Sequence, residues 1–193
     1  MKSEKDNLPI LVFKTAKEWE KWVAKNYASS KGVWLRFYKK ASGIPSVTYP
    51  EAVEVSLCYG WIDGQVIKYD ENSYLQRFTP RRPKSIWAKK NIERVTSLIA
   101  SGKMKPSGLK EIEAAKADGR WEMAYDSPAS MEIPNDFLKE LSKNPKAKKF
   151  FGTLNKTNLY SITWRLQTAK KQETREKRMK AIIEMLSKKQ KFH

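Results

Sequence analysis

The chain contains 193 residues, of which 39 are Lys or Arg and 21 are Asp or Glu, giving a formal net charge of +18. Hydrophobic residues make up 40% of the chain, which is enough apolar surface for a folded core and excludes a disordered basic tail. The single cysteine excludes an intrachain disulfide and a Cys-based zinc site. The single histidine, His193, excludes a Ser-His-Asp triad and a His-based metal site.

The first half of the chain alternates between helical and strand patterns. A capping box at Thr15 and Glu18 precedes apolar residues at helical spacing, and a second capping box pairs Thr48 with Glu51. The predicted elements are a helix from Thr15, a strand at 33–38, a helix from Thr48 to about Tyr59, and strands at 61–69 and 74–78. The last two strands read as a hairpin, so we expect a small antiparallel or mixed sheet with helices packed on it.

From Ser85 onward the pattern is helical throughout. Ser85 is a favoured N-cap residue, and it precedes an apolar stripe that ends near Gly102. Further helices are predicted from Ser107 to Gly119, around Phe137–Leu141, at 158–169 and at 171–188. The fold class is therefore α+β with an all-helical C-terminal half. We divide it into residues 1–125 and a basic helical region, 126–193, packed as one unit with the first.

The early apolar stretch, Leu8 to Phe13, is too short for the apolar region of a signal peptide. No apolar run approaches the 18 residues that a membrane span needs. These observations predict a cytoplasmic protein with no membrane span, and the lone Cys58, which we expect to be an inert buried thiol, agrees with that prediction.

The densest motif runs from Arg77 to Trp87 and places four cations within eight residues, Arg77 to Lys84. Guanidinium groups offer paired donors that suit phosphate or carboxylate, and a helix beginning at Ser85 would add unpaired backbone N–H groups. The two prolines of the motif would stiffen the loop. The motif predicts an anion-binding pocket; the alternative is that Arg77 and Arg81 form structural ion pairs with nearby carboxylates.

A second motif, Gly60-Trp61-Ile62-Asp63-Gly64, places Trp61 and Asp63 on one side of a predicted strand. If Asp63 shared a cleft with the arginines, it could orient a guanidinium or act as a general acid or base. The alternative interpretation is a turn with a core tryptophan. Among the seven tryptophans, Trp87 and Trp121 are the ones we would expect to line a pocket or stack on a base.

Positive charge is concentrated in residues 143–193, which hold 15 Lys or Arg and 3 Asp or Glu, a net charge of +12. The last predicted helix carries apolar residues on one face and lysines and arginines around the rest. Basic amphipathic helices bind nucleic acid or anionic surfaces, although many are packed helices with a solvated cationic face.

These motifs resemble the bacterial YdeI/OmpD-associated family, which is often labelled bacteriocin-protection. The resemblance rests on residues 49–53, Leu57 to Gly64, Arg77 to Arg81 and Ser85 through Asn91, and it extends over about 15–188. It implies a role in stress or bacteriocin protection and names no reaction, metal or cofactor. One departure is Ala88, where the family pattern leads us to expect a serine.

Three hypotheses for function follow. The leading one is a binding module for an anionic small molecule, without cofactor or metal. The second is binding of nucleic acid or an anionic surface through the basic C-terminal helices, and the third is a small enzyme that uses Asp63 with arginines. The predicted ligand-binding residues are Trp61, Asp63, Arg77, Arg81, Arg82, Ser85, Trp87 and Asn91.

Overall fold

The computed structural model of the protein describes residues 7–193 and has an α+β fold. The strands are β1 (Ile10–Leu11), β2 (Val33–Tyr38), β3 (Trp61–Lys68) and β4 (Ser73–Pro80). The helices are α1 (Ala16–Asn26), α2 (Tyr49–Cys58), α3 (Lys89–Ala100), α4 (Pro106–Ala117), α5 (Asn135–Ser142), α6 (Pro145–Phe151), α7 (Lys156–Gln167) and α8 (Gln172–Ser187). A short 3-10 helix spans Lys40–Ser42. The predicted fold class is confirmed.

The four strands form one mixed sheet in the order β1-β2-β4-β3. The strand β1 pairs in parallel with β2, whereas β2–β4 and β3–β4 are antiparallel. The predicted hairpin of β3 and β4 is present, and Asp70 closes its loop by accepting the backbone N–H of Asn72 at 2.9 Å and the Ser73 hydroxyl at 2.7 Å. The register of this hairpin shifts between Asp63 and Val66, where β3 bulges.

Aromatic side chains hold α1 and α2 against one face of the sheet. Trp19 of α1 is fully buried, and its ring lies 5.7 Å from Phe78 and 6.5 Å from Trp61, measured between centroids. Its indole N–H donates to the Ala52 carbonyl of α2 at 3.1 Å. Each such indole removes a large apolar area from water while its N–H stays satisfied, so the tryptophans of this face anchor the core.

The chain divides into two compact units that are discontinuous in sequence. Among the described residues, the first unit comprises 7–85 together with Glu93–Asp118, and the second comprises Ile86–Ile92 together with Gly119–His193. The sheet, α1, α2 and α4 lie in the first unit, and α5 to α8 lie in the second. The division falls within α3, between Ile92 and Glu93.

The second unit has its own helical core. Phe137 and Leu141 of α5, Ile162 and Leu166 of α7, and Leu186 of α8 are almost completely buried in one cluster. The apolar stripe predicted for the last helix is confirmed, because Met179, Ile182 and Leu186 all belong to this cluster.

The sequence prediction was wrong at three places. Helix α3 begins at Lys89, so Ser85 lies in a loop and does not cap it. The two-residue strand β1 was not predicted, since a pair of apolar residues has too little periodicity to indicate a strand. Residues 145–151, for which the sequence predicted no helix, form α6, which the Asn144 side chain caps by accepting the Ala147 N–H at 3.0 Å.

Within residues 7–193, no helix combines the length and the apolar character that crossing a membrane requires.

Candidate functional site

The first unit carries a surface depression of about 220 Å³ at the end of the β3–β4 hairpin. We call it the arginine depression. Its lining residues are Ile62, Gly64, Gln65, Arg77, Thr79, Pro80, Arg82 and Ser85. Three of the predicted site residues, Arg77, Arg82 and Ser85, therefore share one concave surface.

A tight turn shapes one wall of the arginine depression. The Ser85 backbone N–H donates to the Arg82 carbonyl at 3.0 Å, so residues 82–85 form a β-turn with Pro83 in its second position. Lys84, in the third position, has a φ of +65°, the left-handed conformation that glycine or asparagine usually supplies. The ring of Pro83 fixes its φ angle in this turn, and Lys84, which is not a glycine, is held at a strained positive φ.

Arg81 lies behind this turn with only 6% of its surface exposed. Its backbone N–H donates to the Gly60 carbonyl at 3.0 Å, and its Nη1 lies 3.4 Å from the Ser85 hydroxyl. Arg81 therefore supports the turn from below, while Arg82 is exposed at the surface.

Asp63 lies on the opposite face of the sheet from Arg77. Neighbouring residues of a strand point to opposite faces, and paired residues of adjacent strands share a face. Asp63 is paired with Phe78, which faces the helix-covered core, whereas Ile62 is paired with Thr79, on the same face as Arg77. The alternation thus separates the carboxylate from the arginine depression.

The partner of Asp63 is a tyrosine of α2. The Tyr49 hydroxyl donates to the Asp63 carboxylate at 2.7 Å. Burial raises the pKa of Tyr49 well above its usual value, and the hydrogen bond to Asp63 raises it further. The Tyr49 phenol therefore stays protonated at neutral pH, and its hydrogen bond fixes the position of the Asp63 carboxylate.

Trp61 is a core residue of the first unit. It is 1% exposed, and its indole N–H donates to the Tyr27 carbonyl at 3.0 Å. Gly60, just before it, has a φ of +79°, and a Cβ there would lie 3.0 Å from the Ser107 carbonyl oxygen. The Gly60-Trp61 pair therefore packs the sheet end and α4 closely, and Trp61 is not among the residues that reach the arginine depression.

Trp87 and Asn91 belong to the second unit. Trp87 is 1% exposed, and its ring centroid lies 5.3 Å from that of Trp121. Its backbone carbonyl accepts the Tyr125 N–H at 3.1 Å, and Asn91 is 8% exposed in the first turn of α3. Both side chains are buried, and neither is among the residues that line the arginine depression.

Cys58 is buried at the end of α2, and its burial raises the pKa of the thiol to about 11. A thiol with that pKa is almost entirely protonated at neutral pH. The expected burial of Cys58 is confirmed, and its low reactivity stays a prediction.

Two arginines of α8 serve the end of α7. The Arg175 Nη1 donates to the Leu166 carbonyl at 2.7 Å, and the Arg178 Nη1 donates to the Arg165 carbonyl at 2.7 Å. The last carbonyls of a helix lack intrahelical donors and carry partial negative charge, so these cations satisfy them. Arg175 also forms a two-pronged ion pair with Asp136 of α5 at 2.8–3.0 Å.

The remaining positive charge of residues 143–193 lies in exposed lysines. None of the following makes an ion pair within the described part of the chain: Lys146, Lys148, Lys149, Lys156, Lys170, Lys171, Lys177, Lys180, Lys189 and Lys191. The basic C-terminal region thus divides into structural arginines and solvated lysines.

Sequence reasoning missed Gln65 and Thr79 as lining residues of the arginine depression. Thr79 lies inside the Arg77-Phe78-Thr79-Pro80-Arg81 motif, and strand alternation from Arg77 would have placed it on the same face. Gln65 follows the β3 bulge, which no residue pattern indicated.

Two family models match the chain. Residues 11–111, about half of it, match a family described as a domain of unknown function (DUF8412), and residues 130–189 match the family described as bacteriocin-protection, YdeI or OmpD-associated. The predicted resemblance to the latter family is thus confirmed at α5 to α8, whereas the Gly60–Gly64 and Arg77–Arg81 motifs fall in the other match. No curated protein and no solved structure matches the chain.

Proposed function

We propose that this chain, which belongs to the family described as a domain of unknown function (DUF8412) and carries a YdeI/OmpD-associated domain at residues 130–189, is a binding module for a small anion. The anion is held in the arginine depression of the first unit, by Arg77 and Arg82 with the hydroxyl groups of Thr79 and Ser85. The family descriptions name no ligand, so the proposal is argued from the residues of the depression.

One observation carries the proposal: the charge of the lining. Among the described residues that line the arginine depression, two are arginines and none is a carboxylate. Thr79, Ser85 and Gln65 add neutral hydrogen-bonding groups. Guanidinium groups bind phosphate and carboxylate through parallel N–H donors, and hydroxyl donors complete such a site.

The backbone supports the site because it is already ordered. Pro83 and the Arg82–Ser85 hydrogen bond fix the turn, and the buried Arg81 holds it from below. A site whose loop is ordered before binding loses less conformational entropy when the anion arrives. The strained φ of Lys84 is the kind of local cost that clusters at binding sites.

The volume of the arginine depression limits the ligand. About 220 Å³ lies below the range of roughly 300–1,000 Å³ that drug-sized ligands occupy. The depression therefore suits a phosphate, sulfate or carboxylate group, either as a free ion or as the charged end of a larger molecule. The position of Asp63 on the other sheet face favours binding over acid–base chemistry at this site.

The test is a phosphate titration followed by the amide signals of residues 77–85 in ¹H–¹⁵N spectra. Arg82→Gln removes one guanidinium and should weaken phosphate binding about tenfold, which corresponds to ~1.4 kcal/mol. Lys84→Gln is the matched control, because it removes an exposed cation of the same turn that does not line the depression. Equal weakening by both variants, or no saturable shift with phosphate in the wild type, would contradict the proposal.

A specific observation favours a second candidate, polyanion binding by the second unit. Ten lysines of this unit are exposed and make no ion pair within the described residues, and each is a cation that a phosphate of duplex DNA could engage. Each phosphate contact should contribute about −0.9 to the slope of log affinity against log salt concentration. A variant with Lys170, Lys171 and Lys177 changed to Gln should bring that slope closer to zero, and a flat salt dependence in the wild type would exclude this candidate.

The name of the family matched by residues 130–189 adds a proposal about biological role, protection against bacteriocin. If anion binding serves that role, cells that produce Arg82→Gln should survive bacteriocin less well than cells producing wild-type protein at equal amounts. Equal survival would contradict a role of anion binding in bacteriocin protection, whereas anion binding itself is tested by the phosphate titration.

A further inference from the structure

The second unit contains a cavity that lies between α7, α8 and the segment at residues 190–193. Its volume is about 380 Å³, within the range of roughly 300–1,000 Å³ typical of small-molecule sites. We call it the tail cavity. Its lining residues include Trp164, Arg165, Arg178, Ile182, Met185 and Phe192.

The walls of the tail cavity are mostly apolar, with charge of one sign. Trp164, Ile182, Met185 and Phe192 present carbon and sulfur surface, and the two arginines are the charged groups. No carboxylate is found among the lining residues in the described part of the second unit. An apolar pocket with a cationic end complements a molecule that has an apolar body and one negative group.

Both arginines are held in place by bonds that use only part of each guanidinium. Arg165 donates through Nη1 to the Ser161 carbonyl at 3.0 Å. Arg178 donates through Nη1 to the Arg165 carbonyl at 2.7 Å and lies 3.3 Å from the Thr168 hydroxyl. A guanidinium has five N–H donors, so Nε and Nη2 of each group retain donors for an incoming carboxylate.

Phe192 forms an aromatic wall of this cavity. The Phe192 ring lies under the Arg165 guanidinium, with 3.7 Å from the guanidinium carbon to the ring centroid. The next residue anchors it, because the His193 N–H donates to the buried Asn158 side chain at 3.3 Å and the His193 ring nitrogen lies 3.1 Å from the Ser161 hydroxyl. Phe192 is thus a fixed wall that offers a ligand ring an aromatic surface beside a cation.

We propose that the tail cavity is a second ligand site, specific for an amphipathic aromatic anion such as an arylalkyl carboxylate. The aromatic ring packs against Phe192, Met185 and Ile182, and the carboxylate accepts hydrogen bonds from Arg165 and Arg178. This site lies wholly in the second unit and is independent of the arginine depression.

The experiment compares two probes of the same shape, 3-phenylpropionate and 3-phenylpropan-1-ol. Binding is followed by the indole N–H signal of Trp164, assigned by its absence in Trp164→Phe. The carboxylate should shift this signal saturably, and the neutral alcohol should bind about tenfold more weakly, a ratio equivalent to ~1.4 kcal/mol. Equal affinity for both probes, or no shift at Trp164, would overturn the proposal.

Two variants locate the site. Arg165→Gln should reduce the preference for the carboxylate because it removes one of the two guanidinium groups, and Ala181→Phe should block both probes because the new ring fills the cavity from its exposed edge. Lys177→Gln is the matched control, an exposed charge of α8 outside the lining, and should leave both affinities unchanged. Arg82→Gln should also leave both affinities unchanged. A failure of the tail-cavity proposal can therefore be told apart from a failure of phosphate binding at the arginine depression. Undiminished carboxylate preference in Arg165→Gln with unaltered α7 amide signals would refute the assignment.

Discussion

Replacing Arg175 with methionine tests whether the basic last helix is structural. The substitution keeps a long apolar side chain but removes the ion pair with Asp136 and the donor to the Leu166 carbonyl. If the positive charge of α8 served only to attract polyanions, this change would leave the fold unaffected. The contacts of Arg175 predict instead that α7 loses the side-chain donor to its Leu166 carbonyl.

The magnitude follows from the two contacts. The Asp136 side chain is 50% exposed, so this ion pair contributes no more than about 0.2–1 kcal/mol. A hydrogen bond from a charged donor contributes about 1.5–3 kcal/mol, and here it meets a carbonyl at the negative end of a helix. We therefore expect Arg175→Met to lower the free energy of unfolding of the second unit by ~2–3 kcal/mol. Arg175→Lys, which keeps the charge without the fork, should lower it by about half as much.

The assay is urea unfolding combined with amide hydrogen exchange of α7. The exchange measurement assigns the lost stability to the end of that helix. Lys177→Met is the matched control, since Lys177 is an exposed cation of the same helix without an ion pair, and it should change the free energy by less than about 0.5 kcal/mol. Surface substitutions usually change the free energy of unfolding by less than about 0.5 kcal/mol, so a loss below that value in Arg175→Met would refute the reasoning.

Three further predictions concern packing, reactivity and pH. Gly108→Ala should destabilise the first unit by more than about 2 kcal/mol in urea unfolding, because the added Cβ would lie 2.3 Å from the Cys58 carbonyl oxygen and backbone must move; a loss below 0.5 kcal/mol would contradict the close approach. Cys58 should react with iodoacetamide at pH 8 at least about 100-fold more slowly than a free cysteine, since a pKa of about 11 leaves little thiolate; rapid alkylation of the folded protein would contradict its burial. Burial acts to raise the pKa of Asp136, but the Arg175 hydrogen bond and the backbone N–H groups of its helix end outweigh it, so the pKa lies below its usual value. The stability that Asp136 contributes is therefore present above about pH 4 and lost as the pH falls through its folded pKa, and urea midpoints of wild type and Asp136→Asn should converge at low pH; a constant difference between them would contradict this.

The elements that the sequence predicted well are those with strong local signals. Residues 33–38 form β2 at the predicted bounds, and the Thr48 backbone N–H donates to Glu51 at 2.9 Å as a capping box requires. These features depend on residues within a few positions of each other. The hairpin of β3 and β4 was predictable for the same reason, because Asp70 and its neighbours form the turn locally.

The start of α3 shows where local signals mislead. Ser85 is a favoured capping residue, but its backbone N–H closes the turn with Arg82, and the Trp87 carbonyl accepts the Tyr125 N–H. These bonds hold residues 85–88 outside the helix, which begins at Lys89. The partner Tyr125 is distant in sequence, so no local pattern could have indicated the bond. Because the helix does not begin at Ser85, the unpaired N–H groups of a helix start are not available there to bind an anion, contrary to what the sequence had led us to expect.

The candidate site was partly predictable. Three residues of the arginine motif, Arg77, Arg82 and Ser85, line one depression, and its role in anion binding stays a prediction. Asp63 was grouped with the arginines because both lie near the same strand ends, and only the pairing register shows that Asp63 shares a face with Phe78. Register depends on which residues of two strands meet, and a single sequence does not specify that where a bulge intervenes.

The most direct test of anion binding is a crystal of the protein soaked in selenate, a tetrahedral anion with a measurable anomalous signal. We predict an anomalous peak in the arginine depression within hydrogen-bond distance of the Arg77 and Arg82 guanidinium groups, and no peak there in crystals of Arg82→Gln. Selenate found only at surface lysines, with none between Arg77 and Arg82, would contradict the account.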